Sequence, residues 1–207
     1  RGLRFTGGAA GKADQETGLR NENGRAILTL NPGRIWPGNS AFYDSRKPII
    51  AQFVFNGQDL YIIGNHFNSK GEDGPLYGDQ QPPQTPTEQQ RIAQAKAVNG
   101  FVRDILTINP KSLIVVLGDL NDFPWSESIE LLQGLLDNLA LTLPENQRFN
   151  YVYEGNGQTL DQILASQALA PRLVRYEVIH INSLDLPRDS SSDHDPAIAV
   201  FDLSALD

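Results

Sequence analysis

Apolar residues fall along the chain in short runs, several of which end on a polar residue capable of chemistry. The first 25 residues are Gly-rich and polar without periodicity and read as loop. Ala26–Leu30 (AILTL) then reads as a short buried strand. Ile49–Phe55 and Asp59–Phe67 flank Asn56-Gly57, the pair favoured in a type I′ turn, and predict a β-hairpin. A Gly/Pro-dense stretch, 68–86, precedes a helix with Thr85 as N-cap, Pro86 in the first turn and Glu88 completing a capping box. Ile92, Ala95, Val98, Val102 and Ile105 recur at helical spacing, and Asn109-Pro110 ends the pattern. SLIVVLG (112–118) is a fully buried strand. A second helix starts at Ser126 and runs through SESIELLQGLLDNL. FNYVYEG, LDQILAS, VRYEVIHIN and the closing AIAVFDL supply further strands. Buried strands interleaved with amphipathic helices predict an α/β architecture.

Composition narrows the function classes. The 207 residues, 40% hydrophobic and 20% charged, suit one sizeable domain. No run approaches the roughly 18 apolar residues of a membrane span. Cysteine is absent, which excludes disulfides and thiolate–metal sites. The net charge of −8 argues against a surface that grips nucleic acid throughout. It leaves room for a local basic patch, and acidic chains that act on phosphates draw positive charge from metal ions. The chain has no methionine and opens on Arg1, so a processed or truncated product is expected.

The candidate chemistry sits at the strand ends. In VVLGDLNDF (115–123), Asp119 and Asn121 are two apart and project to one side of an extended chain. Two readings stand: hard-oxygen ligands for a cation or water, or an Asx turn that closes the strand. In IIGNHFNSK (62–70), Asn65, His66 and Asn68 end an apolar strand, with Lys70 beyond. His66 alone reads equally as a packed, hydrogen-bonded histidine. Asp193-His194-Asp195 opens the last strand, either as a salt-bridged loop or as part of a site. His180, between Ile179 and Ile181, reads as structural or supporting. Asp161 lies beside apolar residues and needs a partner such as an imidazolium. Arg46 and Lys47 offer cations to a phosphate.

Taken in order, SRKP, NHFNSK, GDLNDF, LDQI and SDHDP resemble the endonuclease/exonuclease/phosphatase superfamily, which includes DNase I-like nucleases. The resemblance is strongest to the bacterial extracellular nuclease-like branch and runs from about Arg25 to the C-terminus. It implies a four-layer α/β/β/α sandwich of two mostly antiparallel sheets, N-terminally incomplete. It also implies a divalent-metal-dependent phosphoesterase, most nearly a phosphodiesterase or nuclease, that hydrolyses by in-line attack of water. By resemblance, His66, Asp119, Asn121, Asp161 and His194 are catalytic. Arg46, Asn65, Asn68 and Lys70 bind substrate, and Asp193 with Asp119 holds Mg²⁺, Mn²⁺ or Ca²⁺. The implied partners are a phosphodiester substrate, nucleic acid first, and a missing N-terminal segment of the same domain. The implied location is extracellular or periplasmic. A phosphomonoesterase, a lipid phosphodiesterase and a non-catalytic binding module are the alternatives.

Two departures from the family pattern carry expectations. Members have a metal-binding glutamate near the N-terminus, and Glu16 of ADQETG lacks the buried strand that should precede it. This chain by itself is therefore expected to be inactive or weak. Gln162 stands where the branch often has histidine, which touches only the surroundings of the site.

Overall fold

The hairpin around Asn56-Gly57 forms the middle of a seven-stranded sheet. The structure is a computed structural model and describes residues 3–75, 77–183 and 190–204; of the Gly/Pro loop after His66, Leu76 lies outside the described residues. The strands are β1 (Arg4–Phe5), β2 (Leu19–Glu22), β3 (Arg25–Leu28), β4 (Gly33–Arg34), β5 (Ile49–Phe55) and β6 (Gln58–His66). After helix α1 (Glu88–Ile108) come β7 (Leu113–Asp119), helix α2 (Glu127–Gln133) and β8 (Leu136–Asn138). The chain closes with β9 (Tyr151–Tyr153), β10 (Asn156–Gln158), β11 (Asp161–Ser166), β12 (Leu173–Val178) and β13 (Ala197–Phe201). The main sheet runs β1-β5-β6-β7-β11-β8, with β4 also on β5. Its pairings are antiparallel except β6–β7, where α1 provides the crossover that parallel neighbours need.

Each face of that sheet has its own core. Ile50, Ile63, Ile114 and Val116 point toward α1 and α2, meeting Val98, Val102, Ile105, Ile129 and Leu132. Full burial of each aliphatic side chain contributes about 1.5–3 kcal/mol. On the other face Leu113, Val115 and Ala165 meet Tyr176 of β12, with Ala197, Ala199 and Phe201 of β13 packed alongside. The α/β architecture with a mostly antiparallel main sheet is thus realised as helices, sheet and a second, two-stranded β12–β13 layer. Among the described residues no α-helix joins the core on the β12–β13 side.

Several element boundaries differ from the sequence pattern. The polar opening holds β1 and the β2–β3 hairpin, turned by Asn23-Gly24 with both φ positive (55° and 81°). LRNE is mostly exposed and carries no apolar alternation, whereas RAIL buries Ala26 and Leu28 in the core, within the strand expected at Ala26–Leu30. Helix α1 begins at Glu88, not Pro86. Thr85 and Glu88 do interact, Thr85 Oγ1 donating to Glu88 Oε2 at 2.7 Å, but the N-cap is Thr87. Thr87 in turn donates its N–H (3.0 Å) and hydroxyl (2.7 Å) to Asp73 from the preceding loop. The second helix stops at Gln133 because Gly134 caps it, and the expected last turn becomes β8. FNYVYEG holds only β9, and β10 returns through Glu154-Gly155.

Candidate active site

Three adjacent strand ends line up. His66, the last residue of β6, is in register with Asp119, the last residue of β7. Asp119 in turn faces Asp161, the first residue of β11. His66 Nε2 lies 3.3 Å from Asp119 Oδ2. His194, bridged to Tyr151 of β9, places Nδ1 in a short hydrogen bond with Asp161 Oδ2. Gly118 lets the row form: its φ is +127°, and a Cβ there would collide with the Asn65 carbonyl oxygen.

Asn121 takes the Asx-turn reading of its motif. Its backbone N–H donates to Asp119 Oδ1 at 2.9 Å, an Asx turn at φ 50°. Its side-chain amide donates to Asp119 Oδ2 and to the Phe67 carbonyl, each at 3.1 Å. The turn therefore fixes the carboxylate in the row.

Charge is concentrated here in a half-buried setting. Burial first, and the neighbouring Asp161 carboxylate second, push the Asp119 carboxyl above its ordinary value. The hydrogen bond to Asp161 raises the His194 imidazole against the opposing effect of burial, favouring its cationic form. Potential ligand atoms of Asp119, Asp161 and His194 all lie within 4.8 Å of one another. Two facing carboxylates fit a hard divalent cation, which would relieve their repulsion.

Buried polar residues hold this row in place. Asn150 donates its side-chain amide to the Asp161 carbonyl at 2.5 Å and accepts from Leu160 and Asp161 N–H at 2.9 and 3.1 Å. The Asn150 carbonyl accepts Asp195 N–H at 2.8 Å, tying β11 to the His194 segment. Asp195 is buried, yet it receives the Ser183 hydroxyl, His180 Nδ1 at 2.9 Å and the N–H groups of Ile181, Asn182 and Ser183. Burial opposes its ionisation, but those donors prevail and bring the carboxyl down to about 2. His180 stacks on Phe149 (4.2 Å between centroids), the supporting role read from its alternation. Gln162 is buried and donates to the Asp122 carbonyl at 2.7 Å, behind the row.

The sequence pattern missed a second buried network. Arg91 of α1, fully buried, meets Asp73 at 2.8 Å and Asp122 at 3.0 Å, clamping the long loop and GDLNDF to the helix. Lys70 joins it, 3.2 Å from Asp122 and above the Phe123 ring at 4.8 Å. Burial opposes ionisation of Asp122, but Lys70 and Arg91 outweigh it and hold the carboxyl below its ordinary value.

The remaining candidates divide. Arg46, Asn65 and His66 line one cleft of about 480 Å³ together with Lys47 and Arg34 of β4, a cation not singled out in the sequence. Asn65 Oδ1 is buried with no hydrogen-bond partner among the described residues. Asn68 binds Gln94 through its backbone N–H at 2.8 Å. Asp193 is exposed and lies outside the Asp119–Asp161–His194 group, though its charge reaches both His194 and Tyr151. Glu16 is also exposed and bridges the backbone of Arg34 outside that group.

Comparison with known proteins agrees with this geometry. The profile of the Endonuclease/Exonuclease/phosphatase family matches residues 13–194. The chain belongs to that family. Among solved structures it is similar to a D. rerio TDP2 humanized by 14 mutations (19% identity, TM-score 0.56), covering 75% of this chain and 60% of that one. It is similar to D. rerio TDP2 complexed with single strand DNA product (17%, 0.58), covering 97% of this chain and 68% of that one. It is also similar to an AP endonuclease from Archaeoglobus fulgidus (18%, 0.51), covering 74% and 65% respectively. The shared feature is the DNase I-like fold, and the chain spans 60% of the length of the first of these structures. No curated protein matches. No helix among the described residues is long and apolar enough to cross a membrane.

Proposed function

We propose that this chain carries the centre of a divalent-metal-dependent phosphodiesterase that acts on nucleic acid. One observation carries the reading: Asp119, Asp161 and His194 converge at the tips of a rigid sheet, with His66 linking them to a cleft lined by cations. Arg34, Arg46 and Lys47 meet the negative charge of a phosphate, and His66 stands where that phosphate reaches the carboxylates. Asp119 and Asn121 orient the attacking water. With Nδ1 engaged by Asp161, His194 meets substrate through Nε2, as a cation or as the donor of a proton to the leaving oxygen. Asp119 and Asp161, with Asp193 at the rim, would hold Mg²⁺, Mn²⁺ or Ca²⁺, which would stabilise charge building on the phosphoryl oxygens. The DNA product in the D. rerio TDP2 structure supports a nucleic-acid substrate.

The test is hydrolysis of DNA, RNA, bis-p-nitrophenyl phosphate and sphingomyelin, with and without EDTA, by the full-length protein and by its His194→Ala variant, since this chain by itself is expected to be inactive or weak. Nucleic-acid cleavage that EDTA abolishes, Mg²⁺ or Mn²⁺ restores and His194→Ala loses is the expected result. Preferential turnover of sphingomyelin would move the substrate to lipid. Cleavage indifferent to EDTA and to His194→Ala would overturn the proposal.

A further inference from the structure

The β9–β10 hairpin carries two tyrosines that the row of reacting groups does not use. Tyr151 and Tyr153 are two apart on one strand and so share a face. Their rings are nearly parallel, 11° apart, with centroids at 6.4 Å. Tyr151 lies 4.7 Å from the His194 imidazole, ring to ring, and is bridged to His194 through the backbone. Tyr153 is 51% exposed. The hairpin is held at its base by Asn150, whose N–H reaches the Gln158 carbonyl at 2.9 Å while its side chain grips Asp161. The tyrosine face is therefore fixed relative to the catalytic carboxylate.

Tyrosine is common in strands for its β-propensity, and a single exposed ring needs no explanation. Two features set this pair apart. It continues directly from His194, on the side of the row opposite His66 and its cationic cleft. It also offers uncharged contact area on a chain of net charge −8, where phosphate contacts alone supply little attraction.

We propose that Tyr153, backed by Tyr151, is the platform on which an unpaired nucleobase beside the scissile phosphate stacks. The inference rests on the phosphodiesterase reading and deepens it by naming the substrate class as single-stranded nucleic acid. In a duplex both faces of an internal base are covered by neighbouring bases, and an exposed ring finds no free face. In an unpaired strand every base has one, and an aromatic ring accepts it whatever its identity. The phosphate enters the Arg34–Arg46–Lys47 cleft through charge, and the base settles on the hairpin through area.

The experiment measures binding apart from turnover. An end-labelled single-stranded oligodeoxynucleotide, the same strand in a duplex, and an abasic strand of equal length are titrated by fluorescence anisotropy in EDTA, against the native chain, Tyr153→Ala and Tyr153→Phe. Single-strand affinity is expected to fall about tenfold in Tyr153→Ala and to survive in Tyr153→Phe, with abasic and duplex affinities unchanged. Because stacking releases no counterions, the Tyr153 difference should persist as salt is raised. Equal loss on all three probes, or no loss on the single strand, overturns the platform. Parallel cleavage assays with the full-length protein read the underlying proposal: a full-length protein that binds as expected but cleaves none of the probes when Mg²⁺ or Mn²⁺ replaces EDTA leaves the platform standing and removes the phosphodiesterase.

Discussion

Asp119 and Asp161 stand directly opposite each other across the β7–β11 ladder. Like charges in that relation destabilise a sheet by up to about 1 kcal/mol. Asp119→Asn should therefore melt at a higher temperature than the native chain, by an increment of that order. Its turnover should fall by about 10²-fold or more, since the carboxylate proposed to orient the attacking water is removed. Thermal melts and initial rates on the same preparation check both halves. A variant that loses stability and keeps its rate would show that the carboxylate serves only the strand end.

The Asp161–His194 pair sets a pH dependence with a definite sign. The imidazole is raised above its ordinary 6.5, first by the hydrogen bond it donates to Asp161. If the cation is the working form, activity falls as pH rises through the raised value, and Asp161→Asn moves that fall to lower pH. The same linkage makes the pair's contribution to folding greatest below 6.5, and that contribution is lost as pH rises through the folded-state value. NMR titration of the His194 ring protons in the native chain and in Asp161→Asn measures the displacement directly.

Arg91 and Lys70 should separate under mutation although both touch Asp122. Arg91→Ala leaves Asp73 and Asp122 buried with only Lys70 as a nearby cation, a loss of about 3–5 kcal/mol. Lys70 is partly exposed and Asp122 keeps Arg91 in its absence, so Lys70→Ala should cost less than Arg91→Ala. If Lys70 belongs to the loop clamp, its variant keeps the native KM, while Arg46→Ala in the cleft raises it. Denaturant titration together with steady-state kinetics distinguishes the two assignments.

Gly118→Ala tests how rigidly the row is built. The added methyl meets the Asn65 carbonyl, and the residue sits at a φ of +127° that side chains rarely adopt. Destabilisation of about 3 kcal/mol or more is expected, because neither the backbone partner nor the left-handed angle can yield cheaply. The surviving folded fraction should also lose activity, as His66 and Asp119 shift out of register. Melting and specific activity per folded molecule are the two readings.

Long periodic stretches were legible in the sequence because burial dictates them. The Asn56-Gly57 hairpin, the buried strand ending at Asp119 and the body of α1 follow from alternation, turn chemistry and helical spacing. Strand β2 was not, since LRNE before the Asn23-Gly24 turn is polar and mostly exposed, although the Ala26–Leu28 part of its partner β3 was. Arg91 escaped because an arginine near a helix start reads as surface. The clue was its place, with Gln94, on the stripe that also carries Ala95 and Val98, so that two polar side chains occupy the inward face. Asn150, Arg34 and the Asp73 cap act across loops, and spacing along one chain does not reveal partners brought together by folding. The site residues at strand ends were visible singly. Their alignment depends on the parallel β6–β7 register, which only the three-dimensional pairing defines.

His66, Asp119 and Asp161 ride on neighbouring rungs of the central ladder, whereas Tyr151 and Tyr153 sit on a narrow ribbon fastened to it at Asn150. With the ribbon as the proposed platform, such a division would let selection, or an engineer, rewrite what the molecule accepts by exchanging the ribbon's tip. The reactive anvil beneath keeps its dimensions while the grip above it changes.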